Sequence, residues 1–388
     1  MKISHLFLLL AMVAIFSWFM GHESKLQIKP SGNAIKVGII APFSGEHIGK
    51  GKSGLQGIKI GQALRPYLNN GDTVELIMID DQEIPKKSTQ ALKVLVEEHK
   101  VAFIFVFSNS NCVTAIAKVA DQYKTPILAV FASHPDITRY SSFVNQFNFD
   151  DTFQASVAAL YVRDELLLDK VAIVTQPENV HFSYLAKKFA QQFKEVDGEI
   201  TDTIYLTTTK QDYIKILETL KSKDPELLYL PLDIDYLFNI KTALSKLNWY
   251  PAIMLSDGIL ANVKVQTEYP LNLLDGMLEI DAYSYNMDFT DFGEQLLKQV
   301  SLMGIGTQDI SLYSVLGMEG YALLIHTMNQ CLISNNSRQA CINNAIRSTQ
   351  RFEGVKGLIS FDATGKAHRS LTINQINNGQ LDFIVQVY

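Results

Sequence analysis

The chain has 388 residues, of which 47% are hydrophobic and 19% charged, the make-up of a globular protein with a real core. One compact domain rarely exceeds ~250–300 residues, so two lobes are expected, and a disordered or collagen-like chain is excluded. The formal net charge is −6, and no Lys/Arg run offers the clustered basic face that neutralises phosphates, so nucleic acid is not an expected partner.

At the N-terminus, Lys2 precedes an apolar run over 6–20 that carries no charge and ends at Gly21, His22 and Glu23. A basic start before a hydrophobic run is the layout of a secretory signal. The run is shorter than the ~20 residues that a spanning helix wants. Trp18, Phe19 and Met20 stand where a cleavage site wants small residues. Residues 1–24 are therefore read as a signal peptide or an uncleaved N-terminal anchor, and the expected location is the periplasm, free or tethered. No later segment is long and apolar enough to span a bilayer.

After a polar linker the chain alternates strand-like and amphipathic runs. The first series predicts strands over 35–41, 74–79, 103–107 and 126–130, with helices over 53–68, 86–98 and 112–123. A polar Asn/Asp/Thr segment over 145–152 interrupts it. A second series predicts helices over 153–167, 183–193, 212–220 and 236–247, with strands over 171–175, 203–206, 227–230 and 252–255. Helices over 291–303, 312–330 and 341–348 follow, and short strands over 357–361 and 383–387 close the chain. Short β-rich runs separated by helices are the pattern of βαβ units and a parallel sheet covered on both faces. Two such series predict an α/β protein of two Rossmann-like lobes, with ligand at the carboxyl ends of the strands.

The cysteines are Cys112, Cys331 and Cys341. None forms a CxxC pair. Cys331 and Cys341 flank a polar segment whose Ser-Asn-Asn-Ser core reads as a turn between helices, so in an oxidising compartment they are expected to form a disulfide. Cys112 is expected to be a small buried residue.

Catalytic patterns are thin. Gly51-Lys52-Ser53 follows a strand and opens a helix, but a P-loop needs a glycine where this chain has Glu46, whose carboxylate would repel phosphate. There is no HExxH or GxSxG motif, and His47, His134, His181, His326 and His368 are scattered. Asp80-Asp81-Gln82-Glu83 gathers carboxylates at a strand end and is read as a solvated loop rather than a metal site. No enzyme, cofactor or metal is expected.

Taken in order, the loops of the first series carry a resemblance. Ile35-Lys36-Val37-Gly38-Ile39-Ile40-Ala41-Pro42-Phe43-Ser44-Gly45 is followed by Gly51 and Gly57. Asp80-Asp81-Gln82 with Pro85, Asn109-Ser110, and Thr125-Pro126-Ile127-Leu128 with Ala132-Ser133 come next. Ser256-Asp257-Gly258 and Phe352-Glu353-Gly354-Val355-Lys356-Gly357-Leu358-Ile359-Ser360-Phe361-Asp362 with Gly365 complete the series. Together they resemble the type I periplasmic binding proteins, and within them the branch that binds leucine, isoleucine and valine for ABC importers. The resemblance covers about 34–388.

It implies two Rossmann-like lobes joined by three crossovers, near 147–152, 281–285 and 357–361. One lobe would then take 34–149 plus 284–358, the other 150–283 plus 359–388. It also implies a ligand α-carboxylate at the helix end formed by Asn109 and Ser110, with Ser133 adding a hydroxyl. The Phe131 carbonyl would accept from the ligand ammonium, and Asp257 would pair with it; helix N–H groups and the dipole favour the anion.

The chain departs from that pattern at Lys50 and at Asp233, where the family carries aromatics, and at Val180-His181, where it carries Tyr-Gly. The aromatic lid is expected to be largely gone and the pocket to suit a polar or charged ligand. The implied function is capture of an amino acid or similar small polar metabolite, as a monomer, for ABC permease subunits. A membrane-anchored ligand-sensing receptor and a non-transport envelope regulator are the alternatives.

Overall fold

The structure, a computed structural model, describes residues 32–261, 269–334 and 337–388. The expected signal or anchor over 1–24 lies outside them. The first series folds into β1 (Ala34–Ala41), α1 (Ile48–Leu64), β2 (Thr73–Asp80), α2 (Pro85–Glu97), β3 (Phe103–Val106), α3 (Ser110–Ala120), β4 (Ile127–Ala129) and β5 (Val144–Gln146). These strands form one parallel sheet in the order β2-β1-β3-β4-β5. β3 and β4 are apolar and buried throughout, as expected of strands covered on both faces.

The chain continues through α4 (Asp151–Leu160), which ends in a π-helical turn over Tyr161–Glu165. Then come β6 (Lys170–Thr175), α5 (Val180–Glu195), β7 (Glu199–Tyr205), α6 (Tyr213–Lys221), β8 (Leu227–Leu230), α7 (Ile234–Lys246), β9 (Ala252–Leu255) and β10 (Leu278–Asp281). Helices α8 (Asp291–Leu302), α9 (Leu312–Gln330) and α10 (Arg338–Ser348) follow. A small antiparallel sheet then joins β11 (Phe352–Glu353), β12 (Leu358–Phe361) and β13 (Ala367–His368). A closing hairpin of β14 (Leu371–Asn377) and β15 (Gln380–Val387) adds to the second sheet, whose order is β15-β14-β10-β9-β8-β6-β7. It is parallel from β7 to β10 and antiparallel across β10, β14 and β15.

The fold is thus the α/β fold expected, with local corrections. α1 begins at Ile48, not at residue 53. Its glycines are poor helix formers in isolation, but here they bring two helices together. A Cβ on Gly57 would stand 2.0 Å from the Ser314 carbonyl oxygen of α9, and one on Gly317 would stand 2.4 Å from the Gly54 carbonyl. Packing overrides propensity. The helix also stops at Leu64 rather than 68, because Pro66 disfavours helical backbone at Arg65.

β5 overlaps the start of the segment read as an interruption. Its polar side chains are buried, and Asn145 is satisfied from outside the strand. Asn145 Nδ2 donates to the Ile127 carbonyl at 3.3 Å and to Asn343 Oδ1 at 3.0 Å, and Arg347 Nε donates to Asn145 Oδ1 at 3.0 Å. β10 and β14 were not foreseen either. β10 carries two buried carboxylates, Glu279 and Asp281, that break its apolar run.

Cys331 and Cys341 are disulfide-bonded, tying the end of α9 to α10. Cys112 is a buried free thiol in α3, pushed up to about 12 by burial.

Candidate functional site

The first wall of the site begins with the loop after β2. Asp81 is fully buried and accepts from Ser88 Oγ at 2.7 Å, Ser108 Oγ at 2.6 Å and the Glu83 N–H at 3.0 Å. Gln82 and Glu83 take left-handed backbone, φ 53° and 57°, which turns the Glu83 side chain inward until it is 2% exposed. Asp81 and Glu83 are therefore not the solvated carboxylates that were expected, while Gln82 is exposed and Asp80 half-buried. The donors to the two buried carboxylates come from three other elements, so no local pattern announces their burial.

Glu83 Oε1 accepts from Lys50 Nζ and from the Asn109 N–H, each at 3.0 Å, and His47 Nε2 lies 3.1 Å from Oε2. Burial alone would favour a neutral Lys50 amine, but the Glu83 carboxylate overrides it and holds the ammonium above its ordinary value. Burial, assisted by Lys50, holds His47 below the usual histidine range.

Asn109 caps α3, its Oδ1 accepting from the Cys112 N–H at 3.1 Å. Ser110 Oγ accepts from the His134 N–H at 3.3 Å. The Phe131 carbonyl accepts from Asn148 Nδ2 at 3.3 Å. The Phe131 ring packs on Phe107 and on Tyr313, with centroids 4.8 and 4.6 Å apart.

The opposite wall centres on His181, in the first turn of α5. Its Nδ1 is 3.0 Å from both oxygens of Asp151 and 3.2 Å from Ser133 Oγ, and its Nε2 is 3.3 Å from Asp257 Oδ1. Burial by itself would lower the imidazolium; the Asp151 and Asp257 carboxylates reverse this and raise it to about 10. Burial would raise Asp257 in turn, but the His181 partner holds it below the usual carboxylate range. Gly258, at φ 75°, allows the turn that presents Asp257. Asp233 caps α7 without bonding to its N–H groups. Instead its N–H donates to Gln176 Oε1 at 2.6 Å, and its Oδ2 accepts from Gln176 Nε2 at 3.0 Å.

The eight residues singled out in the sequence, Lys50, Asn109, Ser110, Phe131, Ser133, His181, Asp233 and Asp257, line one cavity of about 180 Å³. His47, Glu83, Phe107, Phe182 and Tyr313 share it. Lys50, Val180-His181 and Asp233 stand in the cavity where the family pattern carries its lid, while Phe107, Phe131, Phe182 and Tyr313 supply aromatic surface from other positions. Tyr313 comes from α9, far along the chain, and nothing in its local sequence signals the role.

Residues 34–380 match the sequence profile described as periplasmic binding protein. The chain belongs to that family. This binding protein is 25% identical over 204 residues to a Leu/Ile/Val-binding protein homologue of Brucella suis, a match covering 52% of each chain. It thus spans about half the length of the curated relatives it matches. Among solved structures, a leucine-binding protein of Thermotoga maritima superposes with a TM-score of 0.81 at 23% identity, covering 91% of this chain and 98% of the other. A branched-chain amino acid binding protein of Streptococcus pneumoniae, in complex with isoleucine, gives 0.78 at 19% identity, covering 91% and 99%. A solute-binding protein of Rhodopseudomonas palustris, in complex with p-hydroxybenzoic acid, gives 0.77 at 18% identity, covering 92% and 97%. These likenesses establish the fold.

In this binding protein the cavity is lined from both sheets. Lys50, Asn109, Ser110, Phe131 and Ser133 follow strands of the first, while His181, Asp233 and Asp257 follow β6, β8 and β9 of the second. Carboxylates, hydroxyls and rings facing one small volume can orient a polar solute and exclude water from it.

Proposed function

We propose that this chain is an extracytoplasmic solute-binding protein that captures an amino acid or similar small polar metabolite and delivers it to the permease of an ABC importer. The observation that carries the reading is the shared cavity, with polar side chains contributed from the ends of strands in both sheets. The apolar run near the N-terminus supports export, and the relatives' ligands, branched-chain amino acids and an aromatic acid, support a small organic solute. Two lobes, 34–149 with 284–358 and 150–283 with 359–388, would close about three crossovers, the closed state favoured by ligand bridging both walls. The working form is a monomer.

A thermal-shift screen over amino acids and related metabolites tests the reading. A ligand bound only by the native state stabilises by RT ln(1 + [L]/Kd), about 2.7 kcal/mol at a hundredfold excess over Kd. Asp257→Ala should weaken binding of the ligand found by about 2–5 kcal/mol, because truncating one member of a buried charged pair strands the other. Ser110→Ala should cost less, about 1–2 kcal/mol. A folded protein that no compound in the screen stabilises would overturn the proposal.

A further inference from the structure

The charges around the cleft do not balance. Its two cations, Lys50 and His181, are already paired inside the protein, Lys50 with Glu83 at 3.0 Å and His181 with Asp151 at 3.0 Å and Asp257 at 3.3 Å. Against them stand the lining carboxylates of Glu83, Asp233 and Asp257, an excess of one negative charge, which rises to two with Asp151, buried behind His181. No other lysine or arginine is among the lining residues described.

The unfilled polar atoms point the same way. Glu83 Oε2 and Asp257 Oδ1 are buried acceptors whose contacts are ion-pair approaches of histidine nitrogens rather than well-aligned hydrogen bonds. The neighbouring His47 and His181 ring nitrogens approach to 3.1 and 3.3 Å without hydrogen-bond alignment. A buried acceptor without a donor is costly, and a ligand N–H can fill it. The Asn109 N–H and one N–H of the Lys50 ammonium, both of which could hold an anion, already go to the Glu83 carboxylate. The rings of Phe107, Phe131 and Tyr313 add aromatic surface, which attracts organic cations.

We propose that the cleft selects a small organic cation, an amine or guanidine of net positive charge such as a basic amino acid, over zwitterionic and anionic solutes. This rests on the solute-binding reading above and names its substrate class. In it, Asp233 and Asp257 receive the ligand's cationic groups, and Lys50 and His181 hold the neighbouring carboxylates in place.

The test is calorimetric titration of the full chain with probes sorted by charge. Agmatine, putrescine, L-arginine and L-lysine represent cations; L-leucine and L-isoleucine, zwitterions; L-glutamate and 4-hydroxybenzoate, anions. A cation should bind about tenfold tighter than any other probe, and more weakly as salt rises. Asp233→Asn, which keeps a side-chain oxygen for Gln176, should lower that affinity about tenfold and leave the unliganded melting temperature unchanged. Tightest binding by a zwitterion or an anion would overturn the cation inference and leave the solute-binding reading intact. Binding by none of the probes, in a protein that melts cooperatively, would overturn both.

Discussion

Two groups of buried charge sit in this molecule and behave differently. In the cleft, Lys50–Glu83 and Asp151–His181–Asp257 surround open volume, and their unfilled atoms are acceptors. Beneath the closing strands, Glu319 of α9 accepts from the Val355 N–H and from Arg369 Nη2, each at 2.7 Å. Neither Glu319, Arg369 nor Lys356 lines the cleft. Lys356 Nζ is buried without a hydrogen-bond partner, and burial, then Arg369, lower it to about 7. Paired charges in dry packing hold segments together, whereas paired charges beside an unfilled volume can also exchange partners with a solute. The neighbouring space, not the residue type, separates the two.

Glu319→Gln should have the largest effect. It strands Arg369 without its counter-charge and should destabilise by about 3–5 kcal/mol in urea denaturation. An unchanged midpoint would mean that the pair contributes nothing to the fold. Cys331→Ser tests the covalent tie on the same helix: opening a short loop should cost roughly 2–3 kcal/mol, seen as a lower denaturation midpoint in oxidised samples only.

The third prediction contrasts the two clusters by pH. His181 is raised from its ordinary 6.5 to about 10. Its contribution is therefore complete below pH 6.5 and is lost as pH rises through 10, by at most about 1.4 kcal/mol per pH unit. Lys356 acts with the opposite sign. Lowered from 10.5 to about 7, it makes stability rise over that window, because the unfolded chain binds the extra proton. Denaturation series should show His181→Gln removing the falling component and Lys356→Met removing the rising one. Parallel pH profiles for wild type and both variants would contradict the assignment. The smallest effect is at pH 6, where Lys356→Met should stabilise by about 1 kcal/mol, since a buried unpaired ammonium gives way to an apolar side chain. A lower denaturation midpoint for the variant would show that Lys356 is held by contacts worth more than its burial costs.

How far the site was legible varied residue by residue. All eight residues picked out in the sequence meet at one cavity, because each follows a strand end whose apolar run is readable locally. Glu83 was visible as a carboxylate but not as a buried one, since Lys50 and Asn109 lie 33 and 26 residues away. The first strand and the turn of the closing hairpin were missed, though its second strand was expected over 383–387; Asn378-Gly379, at φ 51° and 73°, is a strong hairpin signal.

By itself the sequence determined the α/β alternation, the bounds of most helices and strands, and the family, because hydrophobic period and loop motifs are local properties of the chain. Tertiary structure alone decided that α1 runs through its glycines, that β5 can be polar and that His181 lies between two aspartates. Each of these depends on atoms from distant segments: the Ser314 carbonyl against Gly57, Asn343 and Arg347 on Asn145, and Asp151 and Asp257 around one imidazole. Close packing and the pairing of buried polar groups are settled only when those segments meet.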